Sequence, residues 1–170
     1  MNGLKFVYNI DYWEDMWHVI LDILIVLGSF LAMEVVAWLA HKYLMHGLLW
    51  GLHADHHHKE HYGFLEHNDA FFLIFATPGI TCLAIGIYTP ATYALYIGLG
   101  ITIYGFCYFF VHDIFIHQRI KWLRDTKNPY LLGIRRAHKR HHKHLNKDHG
   151  ECFGMLWVPR KYFKEQKSSS

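Results

Sequence analysis

The sequence predicts an all-α integral membrane bundle of three to four transmembrane helices, with a histidine-rich helical cap on one side of the bilayer. Three observations lead to this prediction. Apolar residues make up 52% of the 170 residues and charged residues only 18%, whereas about a quarter of a typical soluble domain is charged. Three stretches approach or exceed the roughly 20 mostly apolar residues that cross a bilayer. The chain also contains 16 histidines, nearly as many as its 17 lysines and arginines.

The predicted spans lie within one domain that covers residues 1–170, and they occupy residues 19–40, 70–88 and 91–111. The first contains two acidic residues, Asp22 and Glu34, and the other two contain no charged residue. Only Thr89 and Pro90 separate the second from the third, which predicts a tight turn between two antiparallel helices. A soluble bundle is the alternative, but two uncharged segments of this length are hard to bury without lipid.

The distribution of charge predicts the orientation of these helices. Residues 1–22 contain one lysine and four acidic residues, whereas residues 112–170 contain 14 basic and five acidic residues. Because basic residues concentrate on the cytoplasmic side, we expect an inner, cytoplasmic membrane protein with its N-terminus outside. The histidine-rich segments 41–69 and 112–160 then face the cytoplasm, and residues 164–170 form a flexible tail. The same rule explains the basic charge, so we expect no nucleic-acid partner.

Ten of the histidines form a repeated pattern of H-x4-H followed by H-x2-H-H. The first set is His41, His46, His53, His56 and His57, and the second is His112, His117, His138, His141 and His142. Positions i, i+3 and i+4 share a helix face, so each triplet is predicted to aim three imidazoles at one point. Positions i and i+5 lie about 140° apart on an α-helix. Each H-x4-H pair therefore needs a distorted helix end, or its rings approach a metal pair from different sides.

Imidazole binds iron, copper, nickel and zinc, and ten imidazoles exceed the coordination number of one ion. The pattern therefore predicts two metal ions held by the two sets of histidines. A histidine-rich metal carrier without enzymatic activity is an open alternative. A carrier would be expected to place histidines along a path inside the spans, whereas these lie at one membrane face.

At these residues the chain resembles the bacterial β-carotene hydroxylases of the membrane fatty-acid-hydroxylase and sterol-desaturase superfamily. The resemblance rests on the two H-x4-H and two H-x2-H-H motifs and on the residues around them. These are Met33-Glu34, Asn68-Asp69, Tyr104-Gly105, Val111-His112-Asp113, His117-Gln118-Arg119, Ala137-His138 and Phe153-Gly154. The chain departs from the family in having Leu65 before Glu66, and the family is often drawn with four spans.

The resemblance implies a non-haem di-iron monooxygenase that uses O2 to hydroxylate carbon 3 of β-ionone rings. It would convert β-carotene through β-cryptoxanthin to zeaxanthin, with external electrons from ferredoxin and ferredoxin reductase. Zinc can replace iron in a recombinant sample. A carotenoid ketolase and a fatty-acyl or sterol hydroxylase of the same superfamily are the alternatives within this enzyme class.

Four polar residues are candidates to support the metal ligands. Glu34 lies seven residues before His41, so both share a helix face, and we expect Glu34 either to bind a ligand histidine or to make a plain buried polar contact. Asp113 follows His112 directly and is expected to orient an imidazole. Asn68 and Asp69 either support the site in the same way or cap the helix of the second span.

Aromatic residues precede His112 along the third span. Tyr104, Tyr108 and Phe109 are candidates to line a slot for a long apolar polyene, together with Phe106 and Phe110. Aromatic residues that face lipid have the same sequence pattern, so this assignment stays open against that alternative.

Overall fold

The computed structural model describes residues 3–58 and 65–163, with side chains from residue 14 onward. Within these ranges the chain contains helices and loops and no strand. The helices are α1 (Gly3–Leu39), α2 (Trp50–His57), α3 (Ala70–Tyr88), α4 (Tyr93–Tyr108) and α5 (Pro129–His141). Short 3-10 turns cover His67–Asp69 and Arg160–Tyr162. The predicted flexible tail, residues 164–170, lies outside the described residues.

Three helices of the described chain are long and apolar enough to cross a membrane: Glu14–Leu48, His67–Tyr88 and Tyr93–Ile116. This confirms the predicted all-α fold class, with three candidate membrane-spanning helices in the described chain. The first and third helices continue beyond the predicted ends at residues 40 and 111. They do so as π-helical segments, Ala40–Leu48 and Phe109–Ile116. We call these the first and second π segments.

The spans pack closely where glycine lies at their crossings. The helices α3 and α4 form an antiparallel hairpin, and α1 packs against α4. A Cβ added to Gly98 would come 2.7 Å from the backbone nitrogen of Leu83 in α3, and one added to Gly100 would meet the carbonyl oxygen of Val26 in α1. Small residues of this kind let membrane helices approach closely.

A cap of α2, α5 and the segment after α5 covers one end of the bundle. Asn128 starts α5 as its N-cap, because its side-chain oxygen accepts hydrogen bonds from the backbone of Tyr130 and Leu131, and Pro129 suits the first helical position. The core lies beneath the cap, where Phe115 and Ile134 are almost fully buried. This core joins the end of α4 to α5 and holds the histidines of both together.

Candidate metal centre

Nine of the ten histidines of the repeated pattern gather into two clusters where the ends of the spans meet α2 and α5. Each residue of a cluster offers one ligand atom, and these atoms lie within 4.8 Å of one another. The first cluster consists of five buried residues, His41, His46, His53, His57 and His141. Its closest pairs of Nε2 atoms are 3.1 to 3.2 Å apart. Nitrogens that bind one ion at about 2.1 Å and at right angles stand about 3 Å apart, so this spacing suits a single ion.

The second cluster consists of His56, His112, His117 and His138. Its Nε2 atoms approach each other at 3.2 Å between His56 and His112, and at 2.9 Å between His117 and His138. The tenth histidine, His142, adjoins this cluster, with its Nε2 2.9 Å from that of His138. The ring of His142 also stacks on that of His57 in the first cluster, at 4.5 Å between centroids. The two clusters are therefore neighbours.

The division of the histidines between the clusters does not follow sequence order. In α2, His53 and His57 belong to the first cluster, whereas His56 belongs to the second. In the second triplet, His138 and His142 approach the second cluster, whereas His141 belongs to the first. The prediction that each triplet aims at one point was therefore wrong. Adjacent residues of a helix point about 100° apart. Adjacent histidines of a triplet therefore reach different clusters. Each cluster takes one histidine from the other half of the chain.

The H-x4-H pairs converge because the membrane helices widen at their ends. In the second π segment, the N–H of His117 donates to the carbonyl of His112 at 2.9 Å, an i to i+5 hydrogen bond. This pattern brings residues five apart close together, and π-helical turns of this kind are frequent at functional sites. The ring centroids of His112 and His117 lie 4.6 Å apart, and those of His41 and His46 lie 5.2 Å apart. The distortion expected at the helix end is thus a π segment in both spans.

In the first cluster, the hydrogen bonds of the Nδ1 atoms, which point away from the centre, show that the Nε2 atoms, which converge, carry lone pairs. His41, His46, His57 and His141 donate from Nδ1 to the carbonyls of Phe153, Lys147, His144 and Glu151 at 2.9 to 3.1 Å, and His53 donates to Oδ1 of Asn68 at 2.7 Å. A carbonyl oxygen only accepts, so Nδ1 carries the ring proton and Nε2 carries a lone pair. Five converging lone pairs repel each other unless a cation lies among them. The donor set therefore fits a metal ion.

Five ligand imidazoles that lie outside the spans have a lowered pKa and are neutral at neutral pH, which is the form that binds metal. Burial, together with a smaller effect of neighbouring imidazoles, lowers the pKa of His53 and His141 to about 2 and that of His57 to about 4. Burial also holds the pKa of His56 and His138 well below the ordinary histidine value. Protons therefore compete weakly with a metal for these nitrogens.

Carboxylates orient the second cluster, whereas carbonyls orient the first. His56 donates from Nδ1 to Glu66 at 2.7 Å, and Nδ1 of His112 lies 3.3 Å from the carboxylate of Asp113. The expectation for Asp113 thus agrees with its position in the structure. A carboxylate that accepts from the outer nitrogen raises the basicity of a ligand imidazole. The ligand imidazoles that carboxylates orient in the second cluster are therefore expected to be more basic than those of the first cluster.

Arg119 joins the carboxylates around the second cluster. Its guanidinium binds both oxygens of Asp69, at 2.6 and 3.1 Å, and also contacts Glu66 at 3.3 Å and Asp113 at 3.1 Å. Asp69 also accepts from the backbone N–H of Glu66 and so caps the short turn before α3. Sequence reasoning missed Glu66 and Arg119 as supporting residues, although both lie beside motifs that it singled out.

Glu34 and Asn68 differ in how the structure uses them. Asn68 is buried and accepts from the ligand His53, which is the supporting role rather than a helix cap. Glu34 lies in the first span as expected, but its four hydrogen bonds come from the hydroxyl of Tyr104 and from backbone N–H groups of the loop after α5. Of the two alternatives expected for Glu34, the polar contact agrees with the structure and the bond to a ligand histidine does not, because that loop folds back against α1 and takes its carboxylate.

An apolar cleft of about 300 Å³ lies between α1, α3 and α4 and reaches His112 and Asp113. Tyr104 and Tyr108 line it, as the sequence suggested, and the ring of Tyr108 stacks on His112 at 4.8 Å. Phe106 also lines the cleft. Phe109 does not, because residues 104, 108 and 112 share one helix face by their spacing of four, and Phe109 is on another face with 39% of its surface exposed. The prediction that Phe109 lines the slot was therefore wrong.

The sequence of this chain is similar to that of a known protein family. The fatty acid hydroxylase family matches residues 26–158, which include both clusters, the second and third spans and the larger part of the first span. The chain belongs to the fatty acid hydroxylase family. No solved structure is significantly similar to this chain.

The relatives of this family member include proteins named β-carotene hydroxylase. One from Paracoccus sp. (strain N81106 / MBIC 01143) is 37% identical over 140 residues, which cover 81% of this chain and 85% of the relative. One from Pantoea ananas is 39% identical over 137 residues, which cover 80% and 77%. A β-carotene 3-hydroxylase of Arabidopsis thaliana, named as chloroplastic, is 35% identical over 136 residues, which cover 78% and 43%. These relatives confirm the resemblance and imply an oxidoreductase enzyme.

Proposed function

We propose that this chain is a β-carotene 3-hydroxylase, which converts β-carotene through β-cryptoxanthin to zeaxanthin in an O2-dependent reaction. The observation that carries the proposal is the apolar cleft between the spans, which ends at a histidine of the second cluster. The names of the bacterial relatives support the substrate and the reaction. A cleft with this lining favours a hydrocarbon ring over a polar substrate.

The ten histidines would hold two iron ions of a non-haem di-iron centre, which can carry zinc in a recombinant sample. Iron bound there would supply the O2 activation that attack on an unactivated C–H bond requires. The electrons would come from ferredoxin and ferredoxin reductase. Burial keeps the imidazoles in their neutral form, and the carbonyl and carboxylate acceptors fix their tautomer and orientation before an ion binds.

The walls of the cleft would guide one β-ionone ring toward the second cluster. Phe72, Ile80 and Phe106 line the cleft and are each more than half exposed on the surface of the spans, where lipid would contact a membrane protein. A polyene dissolved in the bilayer can therefore enter sideways. Tyr104 and Tyr108 lie deeper and exclude water from the ring beside His112. The opposite ring would be hydroxylated after the molecule leaves and binds in reverse.

The proposed location is the inner membrane, with the metal centre on the cytoplasmic side and the N-terminus outside. The positive charge of residues 112–170 supports this orientation, because basic residues concentrate on the cytoplasmic side. The proposed orientation would put both clusters on the side where a soluble electron donor is available.

Expression in a host that accumulates β-carotene tests the proposed reaction. We expect β-cryptoxanthin and zeaxanthin to appear on chromatography of the pigments, because the cleft presents a ring to the second cluster. A host with an empty vector and a host with the His46→Ala variant should accumulate β-carotene alone. Ketolated pigments would instead indicate a ketolase, and unchanged pigment together with hydroxylated acyl chains or sterols would indicate the other enzyme class. Unchanged pigment with raised cellular metal would indicate a carrier.

A further inference from the structure

One segment of the chain supplies most of the outer contacts of the first cluster. The backbone carbonyls of His144, Lys147, Glu151 and Phe153 accept from four of its five histidines. The ring of Phe153 also packs edge-on against His41 and His141, at 5.4 and 5.2 Å between centroids. The path of this backbone thus determines where four imidazoles point.

A kink at Cys152 directs two of these carbonyls to different histidines. Cys152 has a φ of 63°, in the left-handed region that residues other than glycine rarely adopt. The carbonyls on either side of it, those of Glu151 and Phe153, accept from His141 and His41 respectively. Strained backbone of this kind persists where the surrounding structure holds it in place.

Glu34 holds the other end of this loop inside the membrane bundle. Its Oε1 accepts from the consecutive N–H groups of Met155, Leu156 and Trp157 at 2.8 to 3.0 Å, and its Oε2 accepts from the hydroxyl of Tyr104 at 2.8 Å. The turn is tight, because a Cβ at residue 154 would lie 3.4 Å from Oε1 of Glu34 and 2.6 Å from the carbonyl oxygen of Trp157.

The location of this turn explains why it needs a carboxylate. Irregular backbone at membrane depth is tolerated only where other groups satisfy its N–H donors, and a carboxylate within a span is costly unless it is paired. Trp157 has 84% of its surface exposed, as expected for an aromatic residue that contacts the membrane interface. The carboxylate of Glu34 therefore accepts the hydrogen bonds that the loop N–H groups need, and these N–H groups stabilise the carboxylate.

We infer that Glu34 is a positioning residue for the first metal position, and that it acts through residues 151–157 without touching a ligand. The second cluster does not depend on this loop in the same way, since Glu66 and Asp113 orient His56 and His112. Loss of Glu34 should therefore weaken metal binding at the first position and spare the second. This inference rests on the proposed metal centre and is independent of the substrate.

Cobalt(II) binding to the purified, metal-free full chain tests the inference. Two reference variants, His46→Ala and His138→Ala, identify the visible absorption of the first and second positions. We expect Glu34→Leu to lower cobalt affinity at the first position about 10- to 100-fold, the usual cost of losing an outer contact, with the second unchanged. Glu34→Gln keeps an acceptor for the loop and should fall between wild type and Glu34→Leu. Asp22→Leu removes another carboxylate of α1, one that binds Tyr96, and should keep both signatures.

The kink gives a second test that leaves the membrane span unchanged. Cys152→Val should weaken the first position selectively, because a β-branched residue is strained at this φ, whereas Cys152→Gly should keep it. Unchanged cobalt binding in Glu34→Leu, or an equal loss at both positions in folded Glu34→Leu, would overturn the inference. If Glu34→Leu does not fold, equal binding by Cys152→Val and Cys152→Gly would overturn it. Failure of the wild-type chain to bind two ions would instead contradict the proposed metal centre.

Discussion

Replacing His141 by alanine is expected to abolish metal binding at the first cluster. The other four histidines of this cluster come from the first half of the chain, whereas His141 lies after the third span. Its Nε2 is 3.1 Å from that of His46, and its own side chain is fully buried. The reciprocal change, His56→Ala, should remove the second position, because Nε2 of His56 is 3.2 Å from that of His112. Each variant should abolish hydroxylation, since both positions are needed for the proposed chemistry.

The cobalt spectrum of each variant distinguishes this crossed arrangement from one that follows sequence order. The spectrum of His141→Ala should match that of His46→Ala, and the spectrum of His56→Ala should match that of His138→Ala. The matched control is His18→Ala, because His18 is exposed in α1 and far along the chain from both clusters. A His141→Ala spectrum that matched His138→Ala would show that the histidines divide by sequence order.

Replacing Gly105 by leucine is expected to block the cleft and lower zeaxanthin formation by about 10- to 100-fold, the scale on which misplaced reactants lose rate. Gly105 lines the cleft between Tyr104 and Tyr108, and a Cβ built on it has no neighbour within 4 Å. A leucine side chain can therefore enter the open space without displacing the bundle. Pigment analysis measures the loss, and the bound metal should stay unchanged because no histidine moves.

Gly28→Leu is the matched control for this change. Gly28 lies in α1, it also has open space at its Cβ, and it does not line the cleft. We expect this variant to form zeaxanthin at the wild-type level. If Gly105→Leu were as active as Gly28→Leu, the substrate would have to reach the metal centre by another route.

The spans and the ten histidines were predictable because their signals are local. An uncharged apolar run identifies a membrane helix by itself, and the spacing of His53 and His57 places both on one face of any helix. The supporting roles of Asn68 and Asp113 were also predictable, since Asn68 belongs to a motif of the resembled family and Asp113 follows the ligand His112. These assignments need only a few neighbouring residues.

The division of the ligands and the role of Glu34 depend on contacts between distant parts of the chain. Whether His56 joins His57 or His112 is decided by how the histidine-bearing ends of the helices meet, which no local pattern shows. The acceptors of the first cluster are mostly backbone carbonyls, which every residue carries, so the sequence does not mark them. The spacing of His112 and His117 predicts a distorted helix, but the π-helical form of the distortion is visible only in the hydrogen bonds.

Labelled oxygen tests most directly the central claim that this chain is an O2-dependent hydroxylase of carotenoid rings. Membranes that contain the iron-loaded protein, β-carotene and a ferredoxin-based electron supply would be incubated under ¹⁸O₂, and zeaxanthin would be analysed by mass spectrometry. The account predicts that the oxygen of each new hydroxyl group carries the label. Zeaxanthin that acquired its hydroxyl oxygen from labelled water, and not from labelled O2, would contradict it.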